Sequence, residues 1–443
     1  MHWLNPLKLE AKVSKILFEM EQTAWKLDLP KLESHILYLT SEIDRLDHKV
    51  TSNVPPHLVL PYDKPIMNPF KKDNTYKDTV KKWYGGEVDA VSGGFTRVKF
   101  EPLNLGSASQ VKDFLYSEGW IPTTWNYKKS KGGGFERDVH NQLIKTSPKL
   151  TEDSYDSISG DLGKDIALRL KCAHRRSQLE GWRDRVRDDG RLSQGISGMT
   201  PTARATHVGI VNVPGSKSFF GKEMREVFIV KEEYKLVGCD AAGCQLRFLA
   251  HYMGDQQYID DILATDPHNV TSMLTGLSRD ESKTFIYALL FGAGIPKLAG
   301  QLGKTRRQTE AIKNLFLNKL PQLEALLKDL EKQTRRGYLD GLDGRKIYCD
   351  SNHKALNYLV QSGEGILMRT ALCFLDNAIK KGGYDAKLVG WIHDEFQLEV
   401  KEEHAIAVGE ISREAIEKAG RYLKVIIPMT GDPKIGNSWA DTH

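Results

Sequence analysis

The sequence VGWIHDEFQLEV, residues 389–400, places three ionisable side chains in the middle of an apolar stretch. The apolar residues on either side have the spacing of β-strands, which predicts a buried strand pair with His393, Asp394 and Glu395 between the strands. Two neighbouring carboxylates in such a place repel each other and lose hydration, so they need a compensating cation. The alternative is a hairpin tip whose acids point into water.

A second stretch, VGCDAAGCQLRFLAHYMGD at 237–255, has the same character. Asp240 ends an apolar strand, and a helix follows at once. An aspartate there has a fixed backbone position from which to hold a metal ion. If the fold pairs this strand with the one that carries Asp394, the two acids form a site of hard oxygen donors suited to Mg²⁺ and phosphate. The alternative is that Asp240 caps the helix N-terminus.

A third stretch, RDESKTFIYALLFGAG at 279–294, carries Arg279, Lys283, Tyr287 and Phe291 four residues apart. This spacing predicts one continuous stripe along a helix. The stripe runs from two cations, which suit a triphosphate, to two aromatic rings, which suit a sugar and a stacked base. The alternative is a helix with solvated cations at one end and core aromatics at the other.

Composition sets only broad limits on the class of protein. The chain has 443 residues, 27% of them charged, and a net charge of +5, which is compatible with nucleic-acid binding but not diagnostic of it. The five cysteines form no zinc-type or disulfide-type pattern, so a reducing compartment is expected. No apolar run has membrane-spanning length and no signal-peptide core is present, which predicts a soluble cytoplasmic protein without a membrane partner.

The rest of the chain shows alternating helical and irregular segments. The periodicity of apolar residues predicts two amphipathic helices over 8–50, an irregular insertion with some β structure over about 51–104, a helix over 161–182, a strand over 234–240 and helices over 244–336.

The three stretches, in this order, resemble motifs A, B and C of DNA polymerase family A, most closely its bacteriophage branch. Four further segments fall in register: TARATH (202–207), GKEMREVF (221–228), LNYLVQSGEG (356–365) and the terminal IGNSWADTH. The resemblance covers about residues 105–443. It implies an α+β right-hand fold with an antiparallel-sheet palm, helical fingers and a helical thumb. The implied boundaries are thumb 1–155, palm 156–255, fingers 256–344 and palm again 345–443.

By this resemblance the chain is a DNA-directed DNA polymerase that acts on a DNA primer–template and dNTPs, in the host cytoplasm if it is phage-encoded. Asp240 and Asp394 would bind two Mg²⁺ ions together with the Ala241 carbonyl, with Glu395 as an accessory carboxylate and Lys283 as a further catalytic residue. Other residues would bind substrates: His268, Arg279, Lys283, Tyr287 and Gln245 the nucleotide, and Arg204, Arg225, Phe291, Gln361 and His393 the DNA. The alternatives are that His268 and His393 only pack and that Arg225 is a surface cation.

The chain departs from the family pattern at two linked positions. Motif A normally carries Glu where this chain has Gln245, and motif B commonly carries Tyr where it has Phe291. In the family, that Glu blocks the ribose 2′-hydroxyl of a nucleotide and can form a hydrogen bond with the Tyr hydroxyl. Here both residues have changed, so the resemblance implies a blocking residue without a charge and a neighbouring ring without a hydroxyl. Because Gln is nearly isosteric with Glu, we expect steric exclusion of a ribose 2′-hydroxyl to survive.

Two further expectations concern the N-terminal part of the chain. The matching region is preceded by too little sequence for a proofreading domain, so no 3′–5′ exonuclease is expected, and a separate exonuclease subunit could supply that activity. The insertion at 51–104 could bind a processivity factor, as in the bacteriophage branch, contact DNA directly or be inert. Competing functions are a single-subunit RNA polymerase or reverse transcriptase, and a non-catalytic DNA-binding scaffold.

Overall fold

The computed structural model describes residues 4–59, 68–84, 99–132, 134–155 and 157–443. The helices are α1 (Leu4–Thr23), α2 (Leu29–Asn53), α3 (Asp78–Tyr84), α4 (Ala108–Ser117), α5 (Glu152–Tyr155), α6 (Asp161–Arg183), α7 (Gly221–Arg225), α8 (Cys244–Met253), α9 (Gln256–Ala264), α10 (Pro267–Thr275), α11 (Arg279–Leu290), α12 (Ile295–Leu302), α13 (Arg306–Lys319), α14 (Pro321–Arg335), α15 (Asn352–Gly382) and α16 (Ala405–Tyr422). The strands are β1 (Trp25–Leu27), β2 (His57–Val59), β3 (Lys99–Glu101), β4 (Trp125–Tyr127), β5 (Lys145–Pro148), β6 (Arg191–Leu192), β7 (Gly195–Met199), β8 (Ala205–Val208), β9 (Phe228–Ile229), β10 (Tyr234–Ala241), β11 (Tyr338–Asp340), β12 (Lys346–Tyr348), β13 (Ala386–Ile392), β14 (Glu395–Lys401) and β15 (Gly431–Gly436).

The described residues divide into two compact units. One comprises the chain up to Glu33 together with Gly181–His443, and the other comprises Ser34–Glu180. In the described part of the chain, no helix is long and apolar enough to cross a membrane.

A four-stranded antiparallel sheet lies at the centre of the first unit. Its strand order is β13-β14-β10-β15, so β10 pairs with strands from much later in the sequence. Helices α15 and α16 pack together, and apolar residues of both join the core formed on β10 and β14. The predicted strand at 234–240 and the predicted strand pair around Asp394 are confirmed, and the α+β class with them.

The predicted helices at the start of the chain are also confirmed. Helix α1 buries one apolar face, and the short strand β1 separates it from α2. Asp28 accepts a hydrogen bond from the Lys31 amide at 3.0 Å, which caps the first turn of α2 beside Pro30. The helices predicted over 161–182 and 244–336 are present as α6 and as α8–α14.

The second unit has its own apolar core, formed by residues of α2, α4 and α6 and the loops between them. Two ion pairs join α2 to α6: Lys49 with Asp165 at 2.6 Å, and Arg169 with Asp47 at 2.8 Å. The predicted β structure of the insertion is present as the β2–β3 pair. Residues 60–67 and 85–98 of the insertion lie outside the described residues.

Candidate active site

The pairing of β10 with β14 brings the two predicted acids together. Asp240 lies opposite Glu395 in the register, and the adjacent Asp394 occupies the turn between β13 and β14. The Ala241 amide donates to the Asp394 carbonyl at 2.9 Å, which fixes this turn against the end of β10. Two carboxylates that are far apart in the sequence therefore lie at the same end of the two inner strands.

The turn that carries Asp394 has a constrained backbone. His393 adopts φ = 53°, in the left-handed region that non-glycine residues rarely occupy. The Trp391 indole donates to the His393 carbonyl at 3.0 Å and holds this conformation. The His393 ring contacts the His207 ring edge-to-face, with 5.4 Å between centroids. Although His393 is exposed, Asp394 is half-buried and Glu395 is buried, so these two acids do not simply project into water.

The environment of the two acids disfavours their charges. Desolvation, followed by the charges of Asp394 and Glu395, raises the pKa of Asp240 to about 7. Burial also raises the pKa of Asp394. Within the described ranges, neither carboxylate forms an ion pair. The reading of Asp240 as a helix cap is wrong, because the N-cap of α8 is Gly243. The cluster therefore needs a cation, as predicted.

Glu395 is held differently from its neighbours. It is 3% exposed, and its carboxylate accepts hydrogen bonds from the Trp439 indole at 3.0 Å and from the Gln397 amide. Its second oxygen lies 3.0 Å from Nδ1 of His443. These partners satisfy the carboxylate within the protein, which suits a supporting role rather than direct contact with substrate.

Arg225 is not a surface cation, because it is 5% exposed. Its Nε donates to the Pro214 carbonyl at 2.9 Å, and its guanidinium stacks 4.2 Å from the Trp439 ring centroid. It lines a cavity of 190 Å³ together with Asp240 and Asp394. Burial lowers the pKa of Arg225 to about 10. One guanidinium nitrogen has no hydrogen-bond partner among the described residues.

The predicted stripe lies on α11 and ends at its C-cap, Phe291. Arg279 pairs with Asp266 at 2.6 Å, whereas Lys283 is exposed. The rings of Tyr287 and Phe291 stack with centroids 6.1 Å apart, and together with Lys283 they line a cavity of 360 Å³. Phe291 is 49% exposed, so the alternative of core aromatics is wrong for this ring.

The phenol of Tyr287 is affected by the charges of the two acids. Burial raises its pKa, and the carboxylates of Asp394 and Asp240 add to the effect, so the phenol lies within range of their charges. His268 packs beside it, with ring centroids 5.8 Å apart. The Nδ1 of His268 is buried without a partner in the described part of the chain, and burial lowers the pKa of the ring.

Gln245 has a charged neighbour that the sequence analysis did not foresee. Its amide nitrogen donates to the Glu364 carboxylate at 3.0 Å, and Arg204 pairs with the other oxygen of Glu364 at 2.5 Å. Gln245 itself carries no charge, but it thus lies beside an ion pair of Glu364 and Arg204. Gln361 lies one turn earlier on the same helix and is half-buried.

The oxygen donors at the end of β10 and β14 fit Mg²⁺. Two carboxylates and the Ala241 carbonyl are hard oxygen ligands. Burial, followed by repulsion from neighbouring carboxylates, raises the pKa values of Asp240 and Asp394, so a bound cation would stabilise their charged forms. Across the described ranges, no three His, Cys, Asp or Glu side chains converge on one point. Water and phosphate oxygens would complete the coordination shell, as is usual for Mg²⁺.

Sequence reasoning missed Glu364 and the partners of Glu395. Glu364 stands between two glycines in an otherwise apolar helical segment, SGEGI, and this pattern signals a buried acid at a close helix contact. His443 and Trp439 carry no comparable local signal, because their contact with Glu395 depends on how the chain end packs beside β14.

A comparison with known protein families decides the identity. The model of DNA polymerase family A matches residues 76–441. The chain belongs to DNA polymerase family A. The predicted family is thus confirmed. The stretches that resemble motifs A, B and C lie on β10–α8, on α11 and on the β13–β14 hairpin.

Named relatives of this family A chain come from phages and bacteria. The DNA-directed DNA polymerase of Enterobacteria phage T3 is 27% identical over 79% of this chain and 54% of its own length. That of Escherichia phage Phieco32 is 28% identical over 85% and 77%. The thermostable DNA polymerase I of Thermus aquaticus is 25% identical over 80% and 44%. The chain thus spans about half the length of the phage T3 enzyme.

A solved structure shows the same fold. The polymerase domain of Pol1 from M. smegmatis, in complex with DNA primer-template and dNTP, superposes with a TM-score of 0.75 at 20% identity, covering 98% of this chain and 70% of that one. The predicted right-hand fold is confirmed. The division into thumb, palm and fingers at the boundaries given above stays a prediction.

Proposed function

We propose that this family A chain is a template-directed DNA polymerase that extends a primer 3′-hydroxyl with dNTPs. The observation that carries the proposal is the register of β10 on β14, which places Asp240 and Asp394 side by side with raised pKa values and without an ion-pair partner within the described ranges. A scaffold that only binds DNA would gain nothing from such acids beside phosphates.

The residues around the acids suit the parts of a dNTP and a primer terminus. Asp240, Asp394 and the Ala241 carbonyl would hold two Mg²⁺ ions. When bound, these ions would activate the primer hydroxyl and stabilise the departing pyrophosphate. Lys283 is exposed and would bind the triphosphate.

Contacts to the remaining substrate groups would come from other described residues. Arg279 and His268 would help to bind the triphosphate, and Tyr287 would pack on the sugar. Arg204, Gln361 and His393 would contact the minor groove, where acceptors are common to all base pairs. Arg225 lines the cavity beside the acids and would contact the DNA there.

A primer-extension assay tests the proposal. Wild-type protein with Mg²⁺ should add templated dNTPs to a labelled primer, and Asp240→Asn or Asp394→Asn should reduce the rate by at least about a hundredfold, because each removes a charged metal ligand. Retention of more than about a tenth of the rate in both variants would refute the site. Extension with rNTPs in preference to dNTPs would favour an RNA polymerase instead.

Other expectations stay predictions. These are the lack of 3′–5′ excision, a separate exonuclease subunit, a processivity factor at the insertion and a cytoplasmic location. Degradation of a labelled single-stranded primer without dNTPs tests the first of them.

A further inference from the structure

Glu364 joins two residues of the proposed nucleotide and DNA sites. It is fully buried in α15. One carboxylate oxygen accepts a hydrogen bond from the Gln245 amide of α8 at 3.0 Å, and the other forms an ion pair with Arg204 at 2.5 Å. A buried carboxylate costs much free energy unless it is paired and hydrogen-bonded. Arg204 offsets part of this cost, whereas burial, followed by the charge of Asp394, raises the pKa of Glu364 to about 7. We call Glu364, Gln245 and Arg204 the Glu364 triad.

Two glycines allow the Glu364 triad to form. A Cβ at Gly363 would lie 2.7 Å from the Phe248 ring of α8, and a Cβ at Gly365 would lie 2.7 Å from the Ala203 carbonyl oxygen. Helix α15 therefore approaches α8 on one side of Glu364 and the turn before β8 on the other. These are the elements that carry Gln245 and the residue next to Ala203, Arg204.

The charge of Glu364 decides the orientation of the Gln245 amide. Above about pH 7 the Glu364 carboxylate is ionised and only accepts hydrogen bonds, so the amide nitrogen of Gln245 must face it. The amide oxygen then points away, and it is buried without a hydrogen-bond partner in the described part of the chain. Rotation of the amide would place this oxygen against the carboxylate, so the side chain has one favourable orientation.

We propose that Glu364 is a specificity-determining residue for the sugar of the incoming nucleotide. By fixing Gln245, it holds a rigid side chain against the position that a ribose 2′-hydroxyl would occupy, and thereby excludes ribonucleotides. This inference rests on the proposed function, because selection of a sugar presupposes nucleotide addition. Glu364 acts through Gln245 and is a positioning residue.

The first test neutralises Glu364 without changing its shape. Glu364→Gln allows the Gln245 amide to adopt either orientation, so the ratio of kcat/KM for dTTP to that for rUTP should fall about tenfold, as expected for one lost hydrogen bond to a charged group. The matched control is Glu399→Gln, which removes another buried glutamate paired with an arginine, Arg191 at 2.8 Å. The control should lose stability but keep the ratio.

The second test exchanges the two groups. Gln245→Glu places two carboxylates together in a buried site, so kcat/KM for dTTP should fall at least about tenfold. The double variant Gln245→Glu/Glu364→Gln restores one acid and one amide, and both the rate and the sugar ratio should return to within about threefold of wild type. A purely structural role would restore the melting temperature but not the ratio.

The outcomes separate the two proposals. If wild type extends primers but Glu364→Gln keeps the wild-type ratio, or the double variant is no better than Gln245→Glu, the role of Glu364 is overturned while the polymerase function stands. If wild type extends no primer, the proposed function fails and this inference fails with it.

Discussion

Asp240 shows at the residue scale how a position proposed to hold a metal ion costs stability. Its carboxylate sits beside those of Asp394 and Glu395, and its pKa is raised to about 7 from the usual 3.8. The folded state thus binds a proton that the unfolded state releases between about pH 4 and pH 7. Without a cation, this group makes folding less favourable as pH rises through that range, and the cost is fully present above pH 7.

Replacement of Asp240 should therefore stabilise the metal-free protein. In EDTA at pH 8, we expect Asp240→Asn to raise the melting temperature by about 2 °C, which corresponds to about 1 kcal/mol after solvent screening of this exposed group. At pH 5 the difference should shrink, because wild-type Asp240 is then protonated. Thermal unfolding measures it, with Asp44→Asn, an exposed aspartate of α2, as the control. A lower melting temperature at pH 8 would contradict the prediction.

Tyr287 provides a second test at this scale. A dideoxynucleotide lacks the 3′-hydroxyl, and the phenol of Tyr287 can supply the missing hydrogen-bonding group. Tyr287→Phe removes that group, so its discrimination against a dideoxynucleotide should rise about ten- to a hundredfold. The measurement is the ratio of kcat/KM for dTTP and dideoxy-TTP.

The control for this variant is Tyr348→Phe, which removes a hydroxyl from a 65% exposed tyrosine of β12. It should leave the ratio unchanged. If wild type already rejects the terminator about a hundredfold, Tyr287 does not face the sugar, and the placement of α11 in the mechanism is wrong.

At the element scale, close helix contacts depend on glycines, which have no side chain. Helix α15 carries Glu364 between two glycines, although glycine lowers helix stability by about 1 kcal/mol relative to alanine. The gain is contact: the Ala203 carbonyl also accepts a hydrogen bond from Arg369 of α15, so the turn before β8 is held directly on this helix. Local propensity is sacrificed here for the geometry of the Glu364 triad.

Two glycine-to-alanine changes should have opposite effects. Gly365→Ala places a methyl group 2.7 Å from the Ala203 carbonyl oxygen and should lower the free energy of unfolding by about 1–3 kcal/mol. Gly300→Ala, in α12, meets no atom within 4 Å and should raise it by about 0.5–1 kcal/mol. Urea unfolding compares the two variants. Equal effects would mean that α15 yields at Gly365 without cost.

For the whole molecule, the proposed DNA binding and the proposed catalysis depend on different charges. The net charge is +5, with 63 Lys and Arg spread along the chain, whereas Asp240 and Asp394 lie together at the end of two neighbouring strands. Binding to phosphates arises from many dispersed cations. Loss of one acid should therefore remove activity without removing binding.

Asp394→Asn should bind primer–template at least as tightly as wild type. The slope of log Kd against log salt between about 50 and about 200 mM should also be unchanged, because no phosphate contact is lost. Fluorescence anisotropy of a labelled duplex measures both quantities, and Asp329→Asn on α14 is the control. A parallel loss of binding and activity would show that Asp394 acts through the fold instead.

Much of the site could be predicted from local sequence. Apolar residues at a period of two predicted β10, β13 and β14, and residues four apart predicted the stripe on α11, because each pattern depends only on the geometry of one element. The acids Asp240 and Asp394 stood out for the same reason: charge in an apolar strand has a cost that local sequence already reveals.

The Glu364 triad could not be predicted in this way. Arg204, Gln245 and Glu364 come from separate elements, and only the packing of α15 against α8 and the turn before β8 joins them. The same holds for Glu395, whose partners Trp439 and His443 reach it from the chain end. The sequence by itself determined which elements form and which acids need a cation, since periodicity and charge are local. Only the tertiary structure decided which side chains satisfy one another, because contacts between distant segments depend on how closely their backbones approach.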